Sequence, residues 1–290
     1  MRAMFSDSPA CRVQKIDDHL YCLLEVNLVC MYLILGSEKA MLLDTGYGYT
    51  DYRPLIRAIT DLPLVVVNTH GHPDHALGSY LFKDVYMAEE DYENLCCHCN
   101  PVLKKASLEF RYQIFPECRG LIEEEAYCQT DFSDTRFHFI QEGEIFDLGG
   151  GQLMEIYSMQ GHSDGSVCVL DRKNRRFFSG DIITCNNIWC FTDPKENSFE
   201  KMLYSYEKAK KLSGFYDEIY SAHGKNPIAV SILDELIGCI YDIRDHRERD
   251  PLFCSKLADT VTNLPKYSHQ YKSVLMIYTE ETLKTLPHHS

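Results

Sequence analysis

Hydrophobic residues at the start of the chain fall into short blocks separated by turn residues. Residues 11–16 and 19–35 alternate or run apolar on either side of Asp17 and Asp18, and residues 39–44 form a further apolar block before a glycine turn. Blocks of this length are typical of strands. The pattern therefore predicts that the chain begins with several adjacent strands of one sheet.

Strands and helices alternate in the next part of the chain. Residues 49–60 carry apolar side chains at helical spacing, and residues 65–68 and 84–87 form short apolar strands. From residue 90 to about residue 134 the helical spacing returns in a mixture of cysteine, aromatic and charged residues. This stretch predicts a helical insertion, which either covers the substrate as a lid or only covers the core.

The second half of the chain continues the alternation. Residues 144–148 and 152–157 predict a hairpin joined by three consecutive glycines. The other predicted elements are a hairpin at residues 166–170 and 175–179, helices at 197–212 and 228–245, and a strand at 272–278. The alternation predicts an α/β fold, and because no linker or repeat interrupts it we expect one domain over residues 1–290.

Four potential metal ligands stand within six positions, directly after an apolar strand. They are His70, His72, Asp74 and His75. Imidazole and carboxylate are ligands that zinc accepts when a site stays open to water and substrate. His70 and His72 are two residues apart on an extended segment and can point to the same side, whereas the other two follow a proline bend. The spacing therefore fits two ions better than one.

The His-x-His-x-Asp-His pattern resembles the signature of the metallo-β-lactamase superfamily of metallohydrolases. In that superfamily further site residues follow separate strands in a fixed order. The chain offers a match at each expected place, at Asp44, His162, Asp181 and His223. Because these residues occur in the order that the superfamily shows, the resemblance does not rest on a chance match to one short motif.

The resemblance implies a four-layer αβ/βα sandwich with a dinuclear metal site at one edge. It implies three ligands on one ion, three on the other and one bridging carboxylate: His70, His72 and His162; Asp74, His75 and His223; and Asp181. Asp44 would hold a ligand histidine in its orientation, and Asp74 could also carry a proton. These two carboxylates are therefore the candidate catalytic residues.

The resemblance also implies two divalent metal ions, for which zinc is favoured, while iron or manganese would suit the same ligands. A water molecule between two such ions loses a proton near neutral pH and becomes the nucleophile. Lactam-cleaving relatives commonly carry cysteine at the bridging position, whereas lactonases and thioesterases of the glyoxalase II type carry aspartate, as at Asp181 here. We therefore expect a hydrolase that cleaves an ester, thioester or lactone bond with a metal-bridging hydroxide.

Two other functions stay open at this point. A phosphodiesterase of the same fold would use the same ligands, although the acidic composition speaks against it. A metal-binding regulatory protein with slow turnover would keep the fold, but such proteins often lose a ligand and all seven are present. Among the thioesters, those of glutathione gain no support, because residues 256–290 lack the basic cluster found in glyoxalase II enzymes.

Substrate contacts are predicted shortly after the bridging aspartate. Residues 186–191 form a predicted loop that contains Trp189, the only tryptophan, and Phe191. Both could line an apolar wall for an acyl chain or ring. The alternative is that both pack beneath the helix that begins near Asn197.

The overall charge limits the classes of partner. The formal net charge is −14, whereas recognition of nucleic acid needs clustered lysine and arginine, so we expect a small-molecule substrate and no nucleic acid. The first residues lack the apolar run of a signal peptide, and no stretch is long and apolar enough to span a bilayer. A soluble, cytoplasmic protein without a membrane partner is the expectation, and its oligomeric state is not fixed by the sequence.

Cysteines and the remaining histidines contribute no further predicted site. The thirteen cysteines are scattered, which predicts reduced thiols, and the Cys-x-x-Cys spacing at residues 96–99 lacks the second pair that a structural zinc site needs. Seven histidines lack any motif and are expected to be non-ligands: His19, His98, His138, His246, His269, His288 and His289.

Overall fold

The structure is a computed structural model, and the residues it describes are 10–26, 29–185, 187–192, 197–245 and 250–287. Within it the chain divides into two compact units, with the boundary between Met154 and Glu155. The single domain predicted for residues 1–290 stays a prediction.

A seven-stranded sheet in the order β1-β2-β3-β4-β5-β6-β7 forms the first unit. Its strands are β1 (Cys11–Lys15), β2 (Leu20–Glu25), β3 (Val29–Leu35), β4 (Ala40–Leu43), β5 (Leu64–Val67), β6 (Asp84–Met87) and β7 (Arg136–Phe139). The first four strands are an antiparallel meander, and β4 to β7 run parallel. Each parallel pair needs a crossover connection, which explains why helices appear only after β4.

Helices of the first unit lie in these three crossovers. α1 (Arg53–Ile59) joins β4 to β5, and α2 (Pro73–Ala76) with a short 3-10 helix joins β5 to β6. The third crossover is the helical insertion predicted for residues 90–134, and its helices are α3 (Tyr92–His98), α4 (Pro101–Ile114) and α5 (Glu124–Gln129). The connection that carries the ligand motif is therefore the one between β5 and β6.

Two of the clusters of buried side chains in this unit position its helices. One packs the sheet against α1 and includes Leu33, Leu42, Ile56 and Val66. The other lies among the helices of the insertion and joins them to the loop after β4 through Val26, Tyr49, Leu108, Tyr112 and Tyr127. Burial of this apolar surface fixes the insertion to the end of the sheet.

The second sheet has the order β14-β13-β11-β10-β9-β8. Its strands are β8 (Ile145–Asp147) and β9 (Leu153–Ser158), the hairpin at the unit boundary, followed by β10 (Val167–Asp171), β11 (Arg176–Gly180), β13 (Glu218–Ser221) and β14 (Ile228–Ala229). β10 and β11 form an antiparallel hairpin, and β11 pairs in parallel with β13. The carboxyl ends of β11 and β13 therefore lie at the same edge of the sheet.

Three further strands and four helices complete the second unit. The strands are β12 (Asn187–Cys190), β15 (Lys266–Tyr271) and β16 (Val274–Thr279), in the order β12-β16-β15. The helices are α6 (Phe199–Leu212), α7 (Ile232–Asp245), α8 (Lys256–Val261) and α9 (Glu280–Leu283). The apolar faces of α6 and α7 pack into one core cluster with β10, β11 and β13.

Three predicted elements need correction. The helix predicted for residues 228–245 begins only at Ile232, because Ile228 and Ala229 pair with β13 as β14. Residues 187–190, predicted as a loop, form β12 through parallel pairing with β16, and the predicted loop residue Asn186 lies outside the described residues. The strand β15 is absent from the prediction. Of these errors, only the one at β12 concerns a pairing between distant segments, which local periodicity does not show, whereas β14 and β15 pair with strands that neighbour them in sequence.

Candidate metal centre

The ligand motif follows the end of β5 and continues into α2. Thr69 N donates to Asp44 Oδ1 at 2.7 Å, so the segment leaving β5 is bound to the residue that follows β4. Pro73 occupies the first turn of α2, where its missing N–H is tolerated. Asp74 and His75 therefore lie on a short helix, whereas His70 and His72 lie on the extended segment before it.

These four side chains, all in the first unit, converge. His70 Nε2 lies 3.0 Å from His72 Nδ1, and the ring centroids of His70 and His75 are 4.0 Å apart. His75 Nε2 lies 3.6 Å from Asp74 Oδ2. Ligand atoms at such spacings can share a metal ion, which offsets the cost of burying clustered polar groups.

Asp44 contacts one of the motif histidines directly. Its Oδ2 lies 2.9 Å from His75 Nδ1. Because a carboxylate only accepts hydrogen bonds, the ring proton sits on Nδ1 and the lone pair of His75 is on Nε2, the atom beside Asp74. Thr69 Oγ1 also donates to Asp44, at 2.9 Å. This is the contact that a positioning role for Asp44 requires.

Asp91, which the sequence did not single out, holds the motif from the other side. The side chain is buried at the beginning of the insertion, and its Oδ2 accepts a hydrogen bond from Gly71 N at 2.8 Å. A Cβ added to Gly71 would lie 2.6 Å from the Asp91 carbonyl oxygen, so only glycine permits this approach between His70 and His72. No local sequence pattern marks Asp91, because it lies twenty positions from the glycine that it binds.

The ligands predicted in the second unit also meet. Asp181 follows β11 and His223 follows β13, so both leave the same edge of the sheet. Asp181 Oδ2 lies 3.4 Å from His223 Nε2 and 3.7 Å from His162 Nε2. One carboxylate oxygen thus contacts two imidazoles, which is the arrangement that a bridging ligand needs.

Asn197 fixes the loop that carries His162. The Asn197 side chain is buried, and its Nδ2 donates to the His162 carbonyl oxygen at 2.7 Å. Ser198 N donates to the Gly161 carbonyl oxygen at 3.3 Å. Asn197 stands directly before the N-cap of α6, and the sequence predicts only a helix there, so its role follows from the tertiary structure.

The two predicted substrate contacts differ in exposure. Phe191 is fully buried and packs in a core cluster with Ala258 and Ile277, whereas Trp189 keeps part of its surface exposed. Their ring centroids lie 4.8 Å apart. The predicted apolar wall stays a prediction, and only Trp189 presents surface that could contact a substrate.

Two of the remaining described histidines, His269 and His138, pair with carboxylates. His269 contacts Asp250 at 2.9 Å and Asp242 at 2.8 Å, and His138 contacts Asp84 at 2.8 Å. His98, at the end of α3, lies within electrostatic reach of Asp74: burial lowers the pKa of His98, and the Asp74 carboxylate opposes this shift. Of the seven predicted non-ligands, His246, His288 and His289 lie outside the described residues.

Among the described residues none of the thirteen cysteines forms a disulfide, and seven of them are buried. Cys96 and Cys97 are exposed on α3, and Cys99 is its C-cap. Across the part of the chain that the structure describes, the groups of potential metal ligands contain no cysteine and are drawn entirely from the seven predicted ligands.

Comparison with characterised proteins gives partial matches. The chain is 29% identical over 168 residues to the acyl-coenzyme A thioesterase MBLAC2 of Gallus gallus, which covers 54% of this chain and 58% of that enzyme. It is 27% identical over 201 residues to the hydroxyacylglutathione hydrolase GloC of Haemophilus influenzae, which covers 66% of this chain and 84% of that protein. The chain therefore spans less than two thirds of the length of the MBLAC2 relative.

The sequence model of the metallo-β-lactamase superfamily matches residues 26–95, the segment that contains Asp44 and the ligand motif. The chain is therefore similar to members of the metallo-β-lactamase superfamily. A crystal structure of a metallo-β-lactamase family protein from Thermus thermophilus superposes with a TM-score of 0.51 at 22% identity, covering 74% of this chain and 76% of that one.

The match to the metallo-β-lactamase superfamily confirms the predicted resemblance and the predicted α/β fold class. It also supports divalent metal binding through the His and Asp ligands that the family motif supplies. Within the described residues, none of the helices has the length and apolar character needed to cross a membrane.

Proposed function

We propose that this chain is a metal-dependent hydrolase that cleaves an acyl bond, in a thioester, ester or lactone. The observation that carries the proposal is Asp181, whose Oδ2 contacts the Nε2 atoms of both His162 and His223. A bridging carboxylate suits two divalent ions, and it differs from the cysteine that lactam-cleaving members of the resembled family commonly carry at this position.

The proposed ligands form two sets and one shared residue. One ion would be held by His70, His72 and His162, the other by Asp74, His75 and His223, and Asp181 would be the ligand shared by both. The donor atoms are neutral imidazole nitrogens and carboxylate oxygens, which zinc accepts and which iron or manganese also accept. When bound, such ions lower the pKa of water and polarise an acyl carbonyl group.

The remaining residues of the site orient these ligands. Asp44 holds the proton of His75 on Nδ1, so that Nε2 is available as a ligand. Asp91 fixes the backbone between His70 and His72 through Gly71 N. Because these contacts are buried, they restrain the ligand geometry before any ion binds.

Thioesters are the acyl substrates best supported. The relatives from Gallus gallus and Haemophilus influenzae are named as an acyl-coenzyme A thioesterase and a hydroxyacylglutathione hydrolase, both of which act on thioesters. The proposed partner is therefore a small acyl thioester, with Trp189 as a candidate contact for its acyl group. The acidic charge of −14 gives no support to a nucleic-acid substrate.

The test measures hydrolysis by zinc-loaded protein of a panel of acyl thioesters, aryl esters, lactones, β-lactams and a bis-aryl phosphodiester. Asp181→Ala removes the bridging carboxylate and should lower turnover of the acyl substrates by at least about 100-fold. Asp234→Ala is the matched control, because Asp234 is an exposed aspartate of the same unit that pairs with Lys210 on the surface. We expect it to retain wild-type turnover.

The outcomes separate the competing functions. Metal-dependent turnover of acyl compounds that Asp181→Ala abolishes supports the proposal. Turnover of the phosphodiester alone would move the chain to the phosphodiesterases, and an inactive panel would favour a metal-binding regulatory protein. Undiminished acyl hydrolysis by a folded Asp181→Ala variant would overturn the assigned site.

A further inference from the structure

The loop between β4 and α1 is bound tightly to the helix that carries two of the proposed ligands. Thr45 N donates to the His75 carbonyl oxygen at 2.7 Å, and Gly78 N donates to the Gly46 carbonyl oxygen at 2.9 Å. The ring of Tyr47, the next residue of the loop, packs on the cluster that contains Ala76 and Leu77. Tyr47 is therefore held beside α2, and its side chain remains partly exposed.

The helical insertion fixes the Tyr47 side chain through Arg111 of α4. Arg111 is almost fully buried, and its Nη2 donates to the Tyr47 hydroxyl oxygen at 3.3 Å. The guanidinium carbon lies 5.2 Å from the centroid of the Tyr47 ring, which is a cation–π distance. The Tyr47 ring also stacks on the ring of Tyr49, with the two centroids 4.7 Å apart.

A buried carboxylate holds the backbone of the same turn. Glu25 Oε2 accepts from Tyr47 N at 2.7 Å, and Glu25 Oε1 accepts from Tyr49 N at 2.8 Å. Backbone, ring and hydroxyl of Tyr47 are thus each restrained by a different group. A side chain that only filled space would not need its hydroxyl oriented by a buried cation.

The direction of the Arg111 hydrogen bond leaves the Tyr47 proton available. A guanidinium has donors and no acceptor, so the tyrosine oxygen must accept from Arg111 and its own proton must point to another group. Burial, followed by the charge of Asp74, raises the pKa of Tyr47 to about 12, so the hydroxyl keeps that proton at neutral pH. The polar groups that interact with it are Ser107 of α4 and Asp74 itself.

We propose that the Tyr47 hydroxyl donates a hydrogen bond to the acyl carbonyl oxygen of the substrate, and that Arg111 is the positioning residue that aims it. The inference rests on the proposed acyl hydrolysis and gives the helical insertion a part in the site. Negative charge develops on the carbonyl oxygen as the nucleophile attacks, and a donor already in place stabilises that charge without reorganisation. The tyrosine keeps its proton throughout.

The first test is Tyr47→Phe, which removes the donor and keeps the ring. We expect kcat for an acyl thioester to fall by about 10- to 100-fold with little change in KM, because the hydrogen bond strengthens in the transition state. Zinc content and thermal stability should match the wild type. Tyr112→Phe is the matched control, since it removes a buried hydroxyl from the residue that follows Arg111 on the same helix and should retain wild-type kcat.

Positioning by Arg111 is tested with Arg111→Lys, which keeps the charge but loses the planar fork of donors. We expect a smaller fall in kcat than Tyr47→Phe gives. The two substitutions together should lower kcat no further than Tyr47→Phe alone, because Arg111 acts through the Tyr47 hydroxyl. Fully additive losses in kcat would show that Arg111 is only structural and would overturn its assigned role.

A binding measurement separates this inference from the proposed function. Binding of butyrate, a carboxylate product of an acyl thioester, to the zinc-loaded protein is measured by calorimetric titration. We expect Tyr47→Phe to raise the Kd for butyrate by about fivefold to tenfold. If the wild type hydrolyses no acyl substrate but binds butyrate through Tyr47, the proposed function fails and the donor role stands. Equal butyrate binding and equal kcat in wild type and Tyr47→Phe would overturn the donor role, as would absence of butyrate binding to the wild type.

Discussion

At the scale of single residues, Asp44 connects the backbone of the first unit to the proposed ligands. It follows β4 with a left-handed φ of 63°, a conformation that aspartate tolerates better than most residues. Its carboxylate contacts Thr69 and His75, both more than twenty positions away. The sequence predicts an aspartate that orients a ligand histidine, and the histidine that Asp44 contacts in the structure is His75.

Asp44→Asn tests this contact at nearly constant volume. The amide can present donors to His75 Nδ1 and thereby favour the tautomer that carries its proton on Nε2, the proposed ligand atom. We expect zinc affinity to fall by about 10- to 100-fold, measured by competition with a chromophoric chelator. Asp51→Asn, an exposed aspartate paired with Arg53, should bind zinc like the wild type; equal affinity in Asp44→Asn and this control would contradict the orienting role.

At the scale of elements, the site depends on the close approach of the loop after β4 to the turn after α2. A Cβ added at Gly78 would lie 2.0 Å from the Thr45 carbonyl oxygen, a backbone atom that cannot move alone. The same loop carries Tyr47, and the same turn follows Asp74 and His75. Sequence periodicity predicts β4 and α1, the strand and the helix on either side of this loop. It does not predict that the loop contacts the turn after α2.

Gly78→Ala should therefore destabilise the protein by about 1–3 kcal/mol, because the loop and α2 must separate to admit the methyl group. Urea unfolding measures the free energy of unfolding. Gly214→Ala is the control, since a Cβ at Gly214 has no neighbour within 4 Å among the described residues. Equal stability of the two variants would show that the close approach is not maintained in solution.

At the scale of the whole molecule, the proposed dinuclear site predicts a measurable metal content. We expect two zinc ions per chain by elemental analysis of the purified protein. Because ions that bind only the folded state stabilise it, removing them with a chelator should lower the Tm and abolish hydrolysis. A fully active protein with one ion per chain would contradict the dinuclear site.

The sequence alone determined most of the element types and the proposed ligand chemistry. Both are written in local patterns: apolar blocks of strand length, helical spacing in residues 90–134, and a motif that places His70, His72, Asp74 and His75 within six positions. Such patterns can be recognised without knowledge of the fold, because backbone periodicity and metal preference depend on neighbouring residues.

Tertiary structure alone decided which distant residues support that chemistry. In the folded chain β12 pairs with β16. Hydrogen bonds join Asp91 to Gly71, Asn197 to the His162 carbonyl oxygen, and Arg111 to Tyr47. The physical reason is the same in each case. A hydrogen bond or strand pairing between segments far apart in sequence depends on how the whole unit packs, and the residues involved carry no local pattern that marks them.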